Sequence, residues 1–337
     1  MQFVPIMVAG FVGALLLTPL ARRLAWRFNV IDQPSGRKVH TTATPLLGGL
    51  AIYAGMVLAL LFFSPRAYLV ETLAIGAGAS WMALIGLIDD RQGMGFRAKL
   101  LAQVVAALVV ILAGIRITLF RIPVVDSALT LIWIVALTNA LNFLDNMDGL
   151  AAGLTGIAAA FFFILSAGEG QGLVSSLAAA ITGAALGFLI FNFNPASIFM
   201  GDMGSQVLGF VLAILAIKLR FNTPPSIATW SVPVLVLGLP IFDITLVVFT
   251  RLREGRSPAQ AGKDHTSHRL VQMGLTTRRA VLILYGVCLI LGIDAILVSR
   301  STPEMALILV GVTLVVALAA FIGLETFRIR QRRAGKL

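Results

Sequence analysis

The stretch LTLIWIVALTNALNFLDNMDGLAAGLTGIAAAFFFIL, residues 129–165, decides the fold of this chain. Two apolar runs flank the polar segment 142–149, which contains Asp145 and Asp148. Carboxylates three residues apart share one helical face, where like charges repel each other. A charged side chain at the centre of a lipid-facing helix costs about 2.5–3.5 kcal/mol on insertion scales, so acids in this position need a reason. The pattern predicts two membrane helices joined by a short acidic turn.

Composition extends this prediction to the whole chain. Of its 337 residues, 58% are hydrophobic and only 12% are charged, whereas soluble domains carry about a quarter charged residues. The apolar runs are continuous rather than alternating, so we expect an all-α integral membrane protein. The single cysteine, Cys288, excludes an internal disulfide and a cysteine metal cluster. The net charge of +11 is typical of basic inner loops beside anionic lipid, so no nucleic-acid partner is expected.

The membrane topology follows from the basic residues. The first span has no basic residue ahead of it and three arginines behind it, which is the reverse of a signal peptide. With the N-terminus outside and the C-terminus cytoplasmic, 20 Lys and Arg residues fall on the inner side and six on the outer side. This predicts one polytopic domain, residues 1–337, with cytoplasmic loops 22–44, 89–98, 144–149, 192–203 and 251–278. The eleven expected spans are about 2–21, 45–63, 68–88, 98–115, 127–143, 150–166, 173–191, 204–219, 227–250, 279–299 and 304–326.

Polar residues at the inner ends of the spans are candidates for chemistry. Asp89 and Asp90 end the third span, where two carboxylates oppose the helix dipole. Lys99 follows at the start of the fourth span; a single lysine there is usually a snorkelling anchor. Asp202 precedes the eighth span in a glycine-rich loop that also carries Phe199. Taken alone, Asp202 is typical of a helix N-cap, but a carboxylate beside an aromatic ring also suits a hard cation such as Mg²⁺ together with a flat ring.

The largest inner loop contains His265-x-x-His268-Arg269. A basic loop is usually a topology signal, yet this pattern facing several acids suits a phosphate clamp, because arginine offers a planar donor fork. A zinc site is the weaker alternative, since a third soft ligand is missing. Further upstream, Lys38 and His40 precede the pair Gly48-Gly49, which permits close approach by a ligand or by a helix equally.

These motifs together resemble the polyprenyl-phosphate N-acetylhexosamine-1-phosphate transferase family. The similarity rests on four motifs in family order, and the segment 255–270 looks like the branch that uses UDP-N-acetylglucosamine, without the run of histidines of the peptidoglycan branch. Ser267 stands where many members of this branch have a second histidine, which leaves open which histidine contacts substrate. The motifs are Asp89-Asp90, Asn142-x-x-Asp145-x-x-Asp148-Gly149, 194–205 with Asp202, and His265-x-x-His268-Arg269.

The resemblance implies a role for each matching residue. Asp202 would be the principal Mg²⁺ ligand, with Mn²⁺ as the alternative ion, and Asn142 a second ligand. Asp89 and Asp90 would lie at the reacting centre, and Lys99 would neutralise phosphate charge. The remaining residues would bind substrate: Phe199 stacking on uracil, Asp148 and Asn192 near the base, His265, His268 and Arg269 at the diphosphate or sugar, and Asp145 without an assigned contact.

The family likeness also implies an activity and its partners. We expect transfer of N-acetylglucosamine 1-phosphate from UDP-N-acetylglucosamine to undecaprenyl phosphate, with release of UMP, in a bacterial cytoplasmic membrane and with the active site facing the cytoplasm. The product would begin a cell-envelope polysaccharide such as lipopolysaccharide or teichoic acid. Alternatives are another donor, such as UDP-N-acetylmuramoyl-pentapeptide, and a cation-coupled transporter, since intramembrane acids are common there. Membrane lipids are expected partners, and the sequence leaves the oligomeric state open, a homodimer included.

Overall fold

A computed structural model describes residues 2–33, 43–63, 66–221, 227–260 and 262–334. The chain is all-α, as predicted; in the described ranges its only strands are a two-residue antiparallel pair, β1 (Ile31–Asp32) and β2 (Thr44–Pro45). A short 3₁₀ turn covers Arg66–Tyr68. The helices are α1 (Val4–Arg27), α2 (Gly48–Phe63), α3 (Leu69–Gln92), α4 (Phe96–Leu112), α5 (Pro123–Leu144), α6 (Leu150–Gly168), α7 (Gly172–Asn192), α8 (Gly201–Lys218), α9 (Ile227–Val236), α10 (Gly238–Arg253), α11 (Thr266–Gln272), α12 (Thr277–Arg300) and α13 (Pro303–Arg333).

Each of the eleven expected spans coincides with a helix or a helix pair, and the chain is a multi-pass membrane protein. Among the described residues, eight helices are long and apolar enough to cross a membrane, or nine if one bent pair counts as a single span. That pair is α9 and α10, which meet at an angle of 71°. The helices α2 and α4 are shorter, with 16 and 17 residues. The count of eleven spans and their orientation therefore stay predictions.

Helix ends follow local sequence signals. Thr276 and Thr302 cap α12 and α13, since each hydroxyl accepts a bond from the backbone N–H three residues later. Pro303 occupies the first turn of α13, where a missing N–H costs nothing. The same helix continues seven residues beyond its expected end at 326, because the arginines of its last turn favour the negative end of the helix dipole.

The contacts divide the predicted single domain into two compact units, Met1–Asn222 and Thr223–Leu337. In the first unit α1 packs on α2 and α7, and α8 lies among α2, α3, α5 and α6. Small residues allow these close approaches: a Cβ at Gly183 of α7 would lie 2.8 Å from the backbone nitrogen of Phe11 in α1. The enclosed position of α8 matters for function because its first turn carries Asp202.

The second unit contains α9 to α13. Here α12 contacts α9, α10, α11 and α13, and the rings of Phe242 and Phe249 in α10 pack edge-on against Phe321 of α13. The short helix α11, inside the largest predicted loop, was not expected from the sequence. It begins directly after His265 and contains His268 and Arg269.

Candidate active site

The ends of four helices bring five predicted residues to one place in the first unit. We call Asp89, Asp90, Lys99, Asn142 and Asp202 the acid centre. The Lys99 ammonium donates to Asp202 Oδ2 at 2.6 Å and also pairs with the carboxylate of Asp89. Asn142 Nδ2 donates to Asp202 Oδ1 at 2.6 Å. Asp202 is thus the residue on which α3, α4, α5 and α8 converge.

The two adjacent acids of α3 have different surroundings. Asp90 accepts the backbone N–H of Asp202 at 2.7 Å and that of Met203 at 3.1 Å, so it caps the first turn of α8. A carboxylate satisfies the free N–H groups of a helix N-terminus and suits its partial positive charge. Asp89 instead pairs with Lys99 and accepts the N–H of Met94 at 2.5 Å. Asp90 is therefore a structural cap, and Asp89 is the member of the pair that shares the lysine.

Two glycines permit this arrangement. Gly201 has a φ of +69°, a left-handed conformation that disfavours residues with a side chain, and a Cβ there would lie 2.8 Å from Asp90 Oδ1. Gly86 stands one turn before Asp90 in α3, where a Cβ would lie 2.7 Å from the carbonyl carbon of Asp202. The contact between α3 and the start of α8, which positions both acids, therefore depends on the absence of side chains.

The charge of the acid centre suits a divalent cation. Its three carboxylates, when ionised, and one ammonium leave a formal charge of −2. Among the described residues no three His, Cys, Asp or Glu side chains converge in a way that could hold a metal. Mg²⁺ needs only one or two carboxylates and completes its shell with water and phosphate oxygens, so Asp202 and Asp89 fit this ion. Asn142 also donates to Ser205 Oγ at 2.8 Å, so it orients Asp202, and its role as a ligand stays a prediction.

The turn after α5 places the other two predicted acids. Asp148 Oδ2 accepts from Asn194 Nδ2 at 2.9 Å and from the N–H of Ala196 at 3.0 Å, which ties this turn to the loop before α8. Asp145 has no side-chain hydrogen bond from a described residue and lies half-buried at the end of α5. Burial, together with the charges of Asp202 and Asp148, raises the pKa of Asp145 to about 8.

The loop before α8 holds the predicted uridine residues. Asn192 is 3% exposed, accepts the N–H of Gly149 at 3.1 Å and donates to the carbonyl of Ile198 at 2.9 Å. Its amide therefore joins the same two loops, and nothing in its contacts marks it as a base-binding residue. Phe199 is half-buried and its backbone N–H bonds the carbonyl of Pro45 at 2.8 Å.

Backbone contacts also decide between the two interpretations of the glycine pair. Gly48 and Gly49 donate to the carbonyls of Phe199 and Met200 at 2.9 and 2.8 Å. A Cβ at Gly49 would lie 2.6 Å from the Cα of Gly204 in α8. Close helix packing thus accounts for this pair. Lys38 and His40 lie outside the described residues.

The two histidines lie together in the second unit. His265 pairs through Nδ1 with Asp243 Oδ2 of α10 at 2.8 Å, and the other oxygen of Asp243 accepts the N–H of Thr266 at 2.7 Å. The rings of His265 and His268 are 5.5 Å apart. Burial, followed by the nearby charge of His265, lowers the pKa of His268 to about 4, so this ring is neutral at pH 7. Neither ring has the third ligand that zinc would require within the described residues.

Arg269 is buried inside the second unit. The side chain has no exposed surface, and its contact with a diphosphate or sugar stays a prediction. Its guanidinium donates to Glu325 Oε1 of α13 at 2.8 Å, to Thr250 Oγ1 at 2.6 Å and to the carbonyl of Asp264 at 2.9 Å. A buried carboxylate therefore neutralises the arginine inside the unit.

Sequence reasoning missed the set of residues around Arg269, which we call the arginine cluster. Three nearly buried carboxylates lie within 3.0 Å of five arginines drawn from α10, the following loop, α11 and α13. The only signal in the sequence was a group of acids among many basic residues, and the paired members are up to 74 residues apart. The members are Glu254, Asp264, Glu325, Arg251, Arg253, Arg256, Arg269 and Arg328.

The arginine cluster predicts a loss of stability in acid. Burial alone would raise both pKa values, but hydrogen bonds from Arg328 and Arg256 hold the pKa of Glu254 at about 2, and those from Arg256 and Arg251 hold that of Asp264 at about 2. The ordinary values are 4.5 and 3.8. A lowered carboxyl pKa stabilises the fold above its unfolded value, and this stability disappears as the pH falls towards the folded value.

We therefore expect the thermal midpoint of the detergent-solubilised protein to fall steeply between pH 4.5 and pH 2. The variant Arg328→Gln should show a shallower decline, because one arginine no longer favours the ionised carboxyls. Scanning fluorimetry over this pH range measures both curves. Parallel curves for the two proteins would show that the pair of carboxyls does not carry the acid sensitivity.

The fold and the acid centre define a multi-pass membrane enzyme whose polar groups gather at helix ends. Residues 72–220 match the family model described as glycosyl transferase family 4, which spans the acid centre. The chain is 33% identical to a probable undecaprenyl-phosphate N-acetylglucosaminyl 1-phosphate transferase of Bacillus subtilis over 91% of its own length and 88% of the relative's. It is 34% identical to a decaprenyl-phosphate N-acetylglucosaminephosphotransferase of Mycolicibacterium smegmatis, with 94% and 88% covered.

A third relative is more distant. The undecaprenyl-phosphate alpha-N-acetylglucosaminyl 1-phosphate transferase of Escherichia coli is 27% identical, over 90% of this chain and 86% of the relative. The chain belongs to the polyprenyl-phosphate N-acetylglucosamine-1-phosphate transferase family, as its motifs indicated. The aligned regions include both the acid centre and most of the second unit.

Proposed function

We propose that this chain transfers N-acetylglucosamine 1-phosphate from UDP-N-acetylglucosamine to undecaprenyl phosphate, with UMP as the second product. The names of the relatives support the sugar phosphate and the lipid acceptor. One observation carries the proposal: Lys99 pairs with both Asp89 and Asp202, and all three residues lie at the ends of apolar helices. A phosphate on a lipid chain can reach such a place from the membrane, and a nucleotide can reach it from water.

Mg²⁺ is the cofactor we propose for this centre, held by Asp202 with Asp89 nearby. When bound, the ion would neutralise the oxygens of the donor diphosphate and make the phosphorus a better electrophile. Asn142 and Lys99 fix the two oxygens of Asp202 from opposite sides, at 2.6 Å each. A carboxylate oriented in this way meets a cation without further reorganisation. Mn²⁺ has similar ligand preferences and is expected to substitute.

Direct attack by the lipid phosphate is the mechanism we propose. An oxygen of undecaprenyl phosphate forms a bond to the sugar-linked phosphorus, the bond from that phosphorus to the bridging oxygen breaks, and UMP leaves with this oxygen. A phosphate monoester has its second pKa near 6, so the acceptor is mostly a dianion at pH 7. Asp89 therefore orients the acceptor more than it deprotonates it, and Lys99 offsets charge between the two substrates.

The nucleoside is proposed to bind at the turn after α5. Asp148 and Phe199 lie on the two loops that Asn192 joins, so a uracil ring would meet an acceptor and an aromatic face there. Asn192 acts through these loops rather than by touching the base. The segments 144–149 and 192–203 fall on the predicted inner side, where 20 of the 26 Lys and Arg residues lie, and this supports an active site facing the cytoplasm of a bacterial cell.

Two assays test the function. Purified protein in detergent is supplied with undecaprenyl phosphate, Mg²⁺ and a panel of UDP-sugars, and released UMP is measured. We expect UMP to be released with UDP-N-acetylglucosamine and with no other donor. Release only with UDP-N-acetylmuramoyl-pentapeptide would show that the donor was assigned wrongly. No UMP release with any donor would overturn the proposal. A second assay omits the lipid: exchange of labelled UMP into the UDP-sugar would contradict direct attack and support a covalent aspartyl intermediate.

A further inference from the structure

We propose that the end of α13 is a positioning element for the transfer reaction, in which Glu325 and Arg328 hold the segment 254–269 and thereby fix His265 and His268, which the family resemblance implies are donor-binding residues. The kinetic part of this inference rests on the proposed function. The structural part, that α13 holds this segment in place, does not. The family resemblance concerned the histidine motif itself and assigned nothing to α13.

The first contact joins α13 to α11. Glu325 Oε1 accepts from Arg269 at 2.8 Å and is also bonded by Thr250 of α10, while its second oxygen pairs with Arg253 at 3.0 Å. Glu325 is 6% exposed and Arg269 is fully buried. Loss of one partner from a buried pair leaves an uncompensated charge, which is far more costly than loss of a surface pair.

The second contact joins α13 to the loop before α11. Arg328 donates through Nε to Glu254 Oε1 at 2.8 Å, and its second nitrogen lies 3.1 Å from Glu254 Oε2 and 2.8 Å from Asp264 Oδ1. The side chain of Arg328 is 9% exposed and those of both acids are 3% exposed. A planar guanidinium that bridges two carboxylates fixes both in direction as well as in distance.

The two contacts bracket the histidines. Asp264 directly precedes His265, and Arg269 directly follows His268, so both ends of this six-residue stretch are bonded to α13 or to its partners. Asp243 holds the ring of His265 from the other side. An error of about 1 Å in the position of a substrate-binding group can cost about 10²-fold in rate, which makes these anchors relevant to catalysis.

The length of α13 fits this role. Its 31 residues extend about 46 Å at 1.5 Å per residue, whereas the hydrocarbon core of a bilayer is about 30 Å thick. Glu325 and Arg328 lie in the last third of the helix, beyond the apolar run. Arg330, two residues further on, is exposed and takes no part in the arginine cluster as described.

The test uses full-length protein carrying Glu325→Gln, Arg328→Gln or Arg328→Lys, with Arg330→Gln as the matched control. Hydrogen exchange of the ligand-free protein should become about tenfold faster or more in residues 254–269 for the first two, with α3 and α8 unchanged. The KM for UDP-N-acetylglucosamine should rise about 10- to 100-fold, while the KM for undecaprenyl phosphate and the Mg²⁺ dependence stay as in the wild type. Arg328→Lys keeps the positive charge but loses the planar guanidinium. Its exchange rate and its KM for UDP-N-acetylglucosamine should therefore lie between those of the wild type and those of Arg328→Gln.

Two results would overturn the inference. One is unchanged exchange in residues 254–269 of both glutamine variants. The other is a uniform loss of protection across the chain in the glutamine variants and Arg328→Lys alike, since this would mean a purely structural role. If the wild type released no UMP, the proposed function would fail by itself, and faster exchange confined to 254–269 would still support the anchoring by α13.

Discussion

Replacing Asp202 with asparagine is expected to lower the kcat of UMP release about 10²- to 10³-fold at saturating Mg²⁺. This carboxylate receives Lys99 on one oxygen and Asn142 on the other, and its own N–H is held by Asp90. Asparagine has the same shape, so the helices should still pack, but the site loses the negative charge that binds a cation. UMP release measured over a Mg²⁺ titration gives kcat and the concentration for half activation.

The matched control is Glu169→Gln, which removes a carboxylate between α6 and α7, away from the acid centre, and should leave both values unchanged. Thermal midpoints of the two variants verify that neither loses its fold. If the Asp202 variant kept full activity at limiting Mg²⁺, the assignment of this residue to the cation would be wrong. A normal kcat that needs only more Mg²⁺ would point to a weaker site without a role in the chemistry.

Much of the fold could be predicted because lipid constrains it. A chain in hydrocarbon must satisfy its backbone within helices, so long apolar runs mark helices with few alternatives. The departures have local causes. Residues 227–250 were expected as one span, but the chain breaks at Leu237 into α9 and α10. Helix α11 is too short and polar to produce a hydropathy signal, although His265 precedes it as the N-cap residue.

The acid centre could be predicted from motifs, yet the distinct roles within it could not. Asp89 and Asp90 are adjacent letters with the same chemistry, but successive residues on a helix point about 100° apart. One therefore meets Lys99 and the other meets the start of α8. The partner that decides each role is distant in sequence, and no local pattern contains it.

The same reason explains why the sequence did not predict the pairing of Arg269. A basic residue beside two histidines suits phosphate, and local sequence offers no competing partner. Glu325 stands 56 residues further on, in a helix whose pattern is dominated by lipid-facing residues. Only the packing of α11 against α13 reveals that the arginine is already paired.

Substitutions of the two adjacent acids, Asp89 and Asp90, are expected to differ in their effects on activity and on stability. Asp89→Asn is expected to lower kcat about 10²-fold with a thermal midpoint close to that of the wild type, since asparagine can still accept the N–H of Met94. Asp90→Asn should lower the thermal midpoint by several degrees as well, because an amide cannot accept both N–H groups at the start of α8 and the cap is lost. Scanning fluorimetry and UMP release on the same preparations measure both quantities.

A charge-preserving variant completes the comparison. Asp90→Glu retains two acceptor oxygens but moves them by one methylene. The contact between α3 and the start of α8, where Gly86 and Gly201 lie, has no room for this extra group. The variant should be unstable, whereas Asp89→Glu, with Lys99 as a flexible partner, should fold and keep part of the activity. If Asp90→Asn were as stable as the wild type yet inactive, Asp90 would touch the reacting phosphates, and the lipid acceptor would be oriented by the pair. If both asparagine variants lost stability equally, the separation of roles read from their hydrogen bonds would be wrong.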